Sequence, residues 1–328
     1  MAEITDSEIR KQSLSCVKQW GDQWRVQAKY HGDRFTMKPM SDFEFSGVGK
    51  AALLVANGYS FEENIETIKT YQDNVDIIAC DKTLKPLLEH GITPQICILC
   101  DANVNYKTYC EPIKDKLKDT VLFSNVCAAT EWACRGNWKD VYFYVNQDIL
   151  ESEQEWMEIS KCQNLIVAGT NVSNAMIIIM TQCTNNGARN FFGYDKLLLI
   201  GFDYSWGDES YYAFNKTGDG KADYMRNGIV INLGDDIVYT SSNLLFSARW
   251  IDKYLKTFRV NAVQTSKRSI ISGNSYMPLE KAMQYSYRTE DSHFVKKLIK
   301  MRDDYLKSVK EIDAKLIGIN YDHAVAAI

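Results

Sequence analysis

From Lys50 onward, short blocks of Val, Ile, Leu and Ala alternate with longer stretches whose apolar residues recur every three or four positions. Short continuous apolar blocks predict buried strands, and the longer period predicts helices. The strands fall at 51–56, 75–80, 96–100, 120–124, 140–145, 164–168 and 196–201. Helices are expected between them at 61–70, 82–90, 105–117, 151–160 and 172–184. Strands this short, apolar on both sides and separated by helices, predict an α/β protein with a mostly parallel sheet covered on both faces. No internal repeat is evident.

The flanks read differently. Residues 5–24 predict one amphipathic helix with Ile9, Leu14, Val17 and Trp20 on its apolar side. Residues 25–45 contain Gly32 and Pro39 and read as a connector laid on the main domain. Residues 202–240, rich in Gly, Asp and Tyr, predict a long loop or lid carrying short elements. A helix resumes at 241–256, capped by Ser241 or Ser242, followed by short extended pieces at 258–264 and 268–271. Residues 279–312 read as a charged amphipathic helix, and the last residues as an arm or tail.

Composition narrows the class. Of 328 residues, 45% are apolar and 24% charged, as expected for a globular protein. A formal net charge of -4 and a pI near 5.7 give no global attraction to nucleic acid or to acidic membranes. Nine cysteines sit mostly in apolar runs and read as buried free thiols. The pair Cys97 and Cys100 lies in one strand, with side chains directed to opposite faces. The first residues are polar, with no signal stretch, and no apolar run reaches membrane-spanning length. The default expectation is a cytoplasmic protein without membrane insertion, with a homo-oligomer allowed.

Four strand ends carry candidate chemistry. The run Ala51-Ala52-Leu53-Leu54-Val55-Ala56-Asn57-Gly58-Tyr59-Ser60 is a strand running into a tight turn and a helix. Backbone N–H groups at such a turn suit phosphate. It lacks the three spaced glycines of a dinucleotide fingerprint and the Gly-Lys-Ser/Thr of a Walker A loop. Asn57, Gly58 and Ser60 are nucleotide-contact candidates. Ser60 is also expected to cap a helix from Phe61, with Glu63 completing a capping box. Asp101, just past strand 96–100, faces the crevice of a parallel sheet and suits Mg²⁺ or a ligand hydroxyl. Ala168-Gly169-Thr170-Asn171-Val172-Ser173 repeats the strand–turn–helix pattern and offers Gly169, Thr170, Asn171 and Ser173 to a phosphate or sugar. Asp203 stands at the fourth strand end, with Tyr204 and Trp206 available to stack on a ring. Asp101 and Asp203 are candidates to share a cation or to serve separate subsites. Each turn has an ordinary structural role as its plain alternative. Of four histidines, His90 is explained by its helix end, and His293 becomes a base only if its helix folds over the crevice.

These motifs, in this order, resemble the family that joins archaeal 6-hydroxymethylpterin pyrophosphokinases (MptE-like) to bacterial motility-associated factor (Maf) glycosyltransferases. That family shows Gly-x-Gly-Pro-Ser-Leu after its first core strand. The matching run here is Ala56-Asn57-Gly58-Tyr59-Ser60-Phe61, with Ala for the first glycine and Tyr for the proline. The segment Asp81-Lys82-Thr83-Leu84-Lys85-Pro86-Leu87-Leu88-Glu89-His90-Gly91-Ile92-Thr93-Pro94 is also similar. Where the family has Pro-Asp and a second Asp, this chain has Gln95 and Asp101. Gly169-Thr170-Asn171-Val172-Ser173 and Ile200-Gly201-Phe202-Asp203 continue the likeness, which covers roughly 48–285.

The resemblance implies a Rossmann-like nucleotide-binding transferase domain over 48–275, with a loop or lid at 202–240. A helical extension at 1–47 and a helical region at 276–328 flank it. The glycosyltransferase branch, itself similar to sialyltransferases, implies a nucleotide-sugar donor such as a CMP-linked nonulosonic acid. Asn57, Gly58 and Ser60 would then hold the nucleotide, and Gly169, Thr170, Asn171 and Ser173 its phosphate or sugar. Asp203 and Tyr204 are the candidates for catalysis, with Tyr211 and Tyr212 as further hydroxyls for the leaving group. The pyrophosphokinase branch implies ATP and Mg²⁺, with Asp101 and Asp203 as metal ligands. A noncatalytic nucleotide-binding or assembly protein is the reading from a different class. The acceptor is left open.

Overall fold

The computed structural model describes residues 5–147, 153–167, 171–181, 192–206, 212–214, 228–234, 236–272, 274–286, 300, 303–304 and 307. Eleven strands are present among them: β1 (Ala51–Val55), β2 (Asp76–Cys80), β3 (Ile96–Leu99), β4 (Val121–Asn125), β5 (Asp140–Gln147), β6 (Leu165–Val167), β7 (Lys196–Ile200), β8 (Ile229–Asn232), β9 (Ile237–Thr240), β10 (Ala262–Gln264) and β11 (Ser275–Tyr276). Nine form one sheet in the order β11-β10-β7-β1-β2-β3-β4-β5-β6. All its pairings are parallel. β8 and β9 form a separate antiparallel hairpin. This is the Rossmann-like α/β architecture expected, and each of the seven predicted strands is present.

Side-chain alternation explains the layering. Ala51, Leu53 and Val55 enter one apolar core, whereas Ala52, Leu54 and Ala56 enter the core on the opposite face. Every residue of β1 through β4 is buried, because helices or the N-terminal helix cover both faces. The helix Val172–Thr181 carries the apolar run Ala175 to Met180, and everything from Asn174 to Thr181 is buried. It lies between the sheet and the helix Ser242–Thr257, to which Asn174 Nδ2 donates at the Ser247 carbonyl (3.1 Å). Thr181 Oγ1 lies 2.8 Å from Tyr254 Oη on the same helix.

Several elements depart from the sequence pattern for identifiable reasons. The N-terminal helix runs Asp6–Arg34, well past the expected end. Gly32 belongs to it, because a Cβ there would stand 2.7 Å from the Ser160 carbonyl oxygen of the helix Glu153–Ser160. The glycine marks close packing rather than a break. The expected helix 61–70 is two helices, Tyr59–Glu63 and Ile65–Tyr71. They part at Asn64, whose side-chain amide donates to the Ser60 carbonyl (2.8 Å). Residues 105–117 form the short helix Tyr106–Tyr109 and then a 3-10 stretch, Glu111–Asp119. Pro112 has no N–H to continue an α-helical ladder. Thr130–Arg135 is a helix the pattern did not reveal. Residues 268–271 are not a strand. Of the expected helix 279–312, Leu279–Gln284 is present, and 287–299 lies outside the described residues, with His293. The large sheet runs from Ala51 to Tyr276, so β11 spans the expected 275/276 boundary.

Candidate functional site

The chain places β2 through β6 successively on one side of β1, then returns to set β7 on the other side. Strand order therefore reverses at β1. Open parallel sheets bind ligands outside the carboxyl ends of the strands at such a reversal. Here the two loops that leave β1 and β7 touch. Gly58 N donates to the Gly201 carbonyl and Ala56 N to that of Ile200, both at 2.9 Å. Gly201 has φ +73°, and a Cβ on it would lie 1.9 Å from the Ala56 carbonyl oxygen. A Cβ on Gly58 would lie 2.4 Å from the Gly201 carbonyl oxygen and 2.5 Å from Asp203 Oδ2. Only glycine permits this approach at either position.

Asp203 locks the same junction. Its Oδ2 accepts from Ser60 N (2.9 Å) and its Oδ1 from Ser60 Oγ (2.7 Å), while Ser60 Oγ accepts from Gly201 N (3.0 Å). Burial raises the Asp203 pKa, and hydrogen bonds from Ser60 and Ser266 with the Arg268 charge oppose the rise. Gly58 is the N-cap of Tyr59–Glu63, with no side-chain capping bond of its own. The expected Ser60–Glu63 capping box is thus replaced by a carboxylate from the neighbouring loop. Asp203 does not line the cleft described below, whereas Asp101 does. The geometry joins Asp203 to Ser60, not to Asp101.

Other expected site residues are also held by the protein. Tyr204 has φ +52° and is buried. Its hydroxyl donates to Asn174 Oδ1 (2.5 Å), and its carbonyl accepts from Thr240 Oγ1 (2.7 Å). Burial drives its phenol pKa far up. Trp206 is buried in an antiparallel bridge with Tyr239 rather than presented to a ring ligand. Asn171 Oδ1 accepts from Asn174 N (2.9 Å) and so caps its helix. Asn57 accepts through its carbonyl from Ala213 N (3.2 Å). Gly169, Thr170 and Tyr211 lie outside the described residues.

A cleft of about 960 Å³ lies across the strand ends. Its floor receives Asn57 and Gly58 after β1, Asp81 and Lys82 after β2, and Asp101 after β3. Asn125 of β4 and Asn146 of β5 continue the floor. One wall carries Ser173, Ser205, Tyr204 and the start of the helix Ser242–Thr257. The roof is a stripe of the N-terminal helix: Ile9, Gln12, Ser13, Cys16, Val17, Trp20 and Trp24. Leu14, expected on that apolar side, is 52% exposed. Asn57, Gly58, Asp101, Asn171, Ser173 and Tyr204 are therefore brought to one cavity, while Ser60 and Asp203 stand behind its wall.

Asp81 is the functional candidate absent from the sequence-based set. It begins the helix Asp81–Glu89 directly after β2, and it is 2% exposed. Its Oδ1 accepts from Lys82 N (2.6 Å). Burial pushes its pKa up to about 6; Lys82 opposes the shift and the Asp101 charge adds to it. The signal was present in the chain: Cys80-Asp81 stands at a strand end just as Cys100-Asp101 does. Asp101 is exposed, and its Oδ1 accepts from Asn103 N (2.8 Å). Lys82 Nζ lies 4.9 Å from the centre of the Tyr212 ring. Among the described residues, Asp81, Lys82 and Asp101 are the only carboxylate, lysine, arginine or histidine side chains lining the cleft.

The eight described cysteines are free, and Cys97 and Cys100 do point to opposite faces: Cys97 into one core, Cys100 toward the other and the cleft. No group of three or more His, Cys, Asp or Glu side chains able to hold a metal ion occurs among the described residues. Two carboxylates suffice for Mg²⁺ when phosphate oxygens and water complete its shell. A carboxylate whose pKa is raised by burial also gains from a cation. Asp81 and Asp101 are the two carboxylates that line the cleft among the described residues. No helix among the described residues is long and apolar enough to cross a membrane.

Comparison with known proteins agrees with this architecture. The structure of a Maf glycosyltransferase from Magnetospirillum magneticum AMB-1 superposes with a TM-score of 0.57 at 18% sequence identity. The match covers 81% of this chain and 42% of that one, so this chain spans less than half of that protein's length. At this identity the likeness concerns the fold. No curated protein matches. The family model described as 6-hydroxymethylpterin diphosphokinase MptE-like matches residues 30–209, which carry β1 to β7, Asp81, Asp101 and the clamp between Ser60 and Asp203. This chain belongs to the 6-hydroxymethylpterin diphosphokinase MptE-like family.

Proposed function

We propose that this chain is a nucleotide-dependent transferase of the diphosphokinase type, using ATP with Mg²⁺. Family membership supports nucleotide handling. The observation that carries the finer reading is the charge inventory of the cleft: two carboxylates and one lysine among the described residues. A polyphosphate beside two aspartates is stabilised by a cation between them, because like charges repel, most of all at the buried Asp81. Asp81 and Asp101 would hold Mg²⁺, which would neutralise charge on the phosphates and orient them.

The chain's own residues then have defined tasks. Lys82 can swing from the Tyr212 face to pair with a phosphate oxygen. The clamp of Ser60 on Asp203 holds the β1 turn in one geometry, which keeps Asn57 and Gly58 at the cleft edge. In diphosphoryl transfer an acceptor hydroxyl oxygen forms a bond to the β-phosphorus of ATP, the bond to the α-phosphate bridging oxygen breaks, and AMP leaves. The hydroxyl proton passes to a phosphate oxygen or to water as the new bond forms, since Asp81 and Asp101 are both engaged with the cation. The N-terminal helix roofs the cleft and limits access of water.

Glycosyl transfer from a CMP-linked donor is the second reading. The neutral wall of Ser173, Ser205, Ser241, Ser242 and Asn243 suits sugar hydroxyls. Thermal melting with CMP, CDP, UDP, GDP and ATP, each with and without Mg²⁺, separates the two. The expected result is a rise in Tm with ATP only when Mg²⁺ is present, accompanied by AMP release with a hydroxymethylpterin acceptor. A metal-independent rise with CMP would overturn this reading in favour of glycosyl transfer. Binding without turnover of any donor would favour a noncatalytic nucleotide-binding role.

A further inference from the structure

The cleft floor changes character from one end to the other. Under β2 and β3 it is charged, with Asp81, Lys82 and Asp101. Under β4 and β5 it is neutral, and each strand contributes an amide, Asn125 and Asn146. β4 and β5 are direct neighbours in the sheet. Adjacent strands lie about 4.8 Å apart, so the row from Asp81 to Asn146 spans about 14 Å. That is the scale on which a nucleotide separates its outer phosphates from its base.

The two amides differ in how the protein holds them. Asn125 is buried, and its Oδ1 accepts from Cys127 N at 2.8 Å, which sets the orientation of the amide. Asn146 Oδ1 is buried and finds no hydrogen-bond partner among the described residues. Asn146 nevertheless lines the cleft. Buried acceptors without partners are rare in folded proteins, and one beside a cavity is open to a donor from water or from a ligand that displaces it. An amide supplies an acceptor and donors side by side, the complement of a heterocycle edge that pairs N–H with C=O or a ring nitrogen.

We infer that Asn146, alongside Asn125, is a specificity-determining residue that reads the hydrogen-bonding edge of a heterocycle bound over β4 and β5. The inference rests on the nucleotide-handling reading above and adds where selectivity arises. The heterocycle is either the base of the donor nucleotide or a pterin-like acceptor, since both present such an edge. A site built to bond a ligand N–H rejects analogues lacking it, so removing the partner should flatten selectivity rather than abolish phosphate binding.

The test is calorimetric binding of ATP, GTP, CTP and UTP to the full chain with Mg²⁺, using magnesium tripolyphosphate as a probe without a base. Hydroxymethylpterin is titrated in a separate arm. Asn146→Leu keeps the branched shape and removes the amide; Asn146→Ser guards against a packing defect from the bulkier methyl groups, with both melting profiles recorded. The wild type should discriminate between bases by tenfold or more, and both variants should narrow that to within threefold while binding tripolyphosphate as before. Unchanged base selectivity with a tenfold loss of pterin affinity would assign the same edge to the acceptor. Retained selectivity for both ligands, or an equal loss for tripolyphosphate, would overturn the inference while leaving the nucleotide reading intact. A wild type that binds neither nucleotide nor tripolyphosphate would overturn both.

Discussion

Single residues set the chemistry of the cleft, and Asp81 is the most informative. Its folded-state pKa of about 6 lies above the ordinary 3.8, so the native state holds the proton more tightly than the unfolded chain. The contribution of this group to stability is fully present at low pH and is lost as pH rises from about 4 to about 6. The loss amounts to at most about 3 kcal/mol. Asp81→Asn keeps the acceptor for Lys82 N and removes the buried charge. It should therefore be more stable than the wild type at pH 7.5 and equal to it near pH 4, as urea titrations at the two pH values would read. If Asp81 helps hold Mg²⁺, the ion should raise the wild-type Tm more at pH 7.5 than at pH 5, and it should not raise that of Asp81→Asn. Asp203 makes the opposite kind of prediction. Replacing it with Ala strands Ser60 N and Oγ in a buried junction and should cost about 1–3 kcal/mol of unfolding free energy. An unchanged urea midpoint would refute the clamp. Gly201→Ala should be worse still, since a methyl group would sit on the Ala56 carbonyl at a left-handed φ, and folded protein should not be recovered.

Elements show where the molecule is firm. In the helix Asp6–Arg34, no residue described between 5 and 20 is buried, whereas Gly21, Ala28, His31 and Gly32 are. The second half is pinned by Gln23 and Gln27, which donate to the Ala102 carbonyl, and by His31 Nδ1, which donates to that of Val126 (2.7 Å). The first half spans the cleft and reaches the helix Ser242–Thr257 through Glu8 and Arg249, 3.4 Å apart. Few buried contacts mean a low cost of local opening. Amides of 9–20 should exchange with solvent faster than those of 25–34. Gly21 sits at the junction, and a Cβ there would meet only ordinary contacts at 3.5 Å or more. Gly21→Ala should therefore strengthen the helix by up to about 1 kcal/mol and slow exchange of 9–20. Equal exchange rates along the whole helix would contradict this division.

At the scale of the whole molecule, the cleft follows from topology. Strand order reverses at β1, and helices cover both faces of the sheet, so the carboxyl ends are the open side. Residues from five consecutive strands then share one cavity although they lie from 57 to 146 in the chain. Part of the cavity comes from beyond the matched family segment: the roof stripe from Ile9 to Trp24, and the wall from Ser241 to Trp250. Exchanging these parts should alter which acceptor is used without removing the cation-holding pair. A chain lacking residues 1–20 should keep its ATP-dependent and Mg²⁺-dependent rise in Tm and lose acceptor selectivity, which competition between acceptors would measure.

Local pattern alone determined the seven sheet strands from β1 to β7, because a strand buried on both faces must be apolar at consecutive positions. It also marked the strand ends as the place for a site, and Asn57, Gly58, Asp101 and Ser173 do reach the cleft. Tertiary structure decided what each polar residue does there. Ser60 and Asp203 are far apart in sequence and look equally available for a ligand, yet they satisfy each other across the β1/β7 junction. Tyr204 is spent on Asn174 in the same way. Asp81 has the sequence context of Asp101, but its burial and raised pKa come from the elements packed around it. Gly32 reads as part of a connector and Gly201 as the end of a strand; one proves to be a contact point between helices and the other a left-handed residue against a carbonyl. Hydrogen-bond partners, burial and close approach are properties of residues distant in the chain, which is why periodicity defines the elements and the fold assigns their roles.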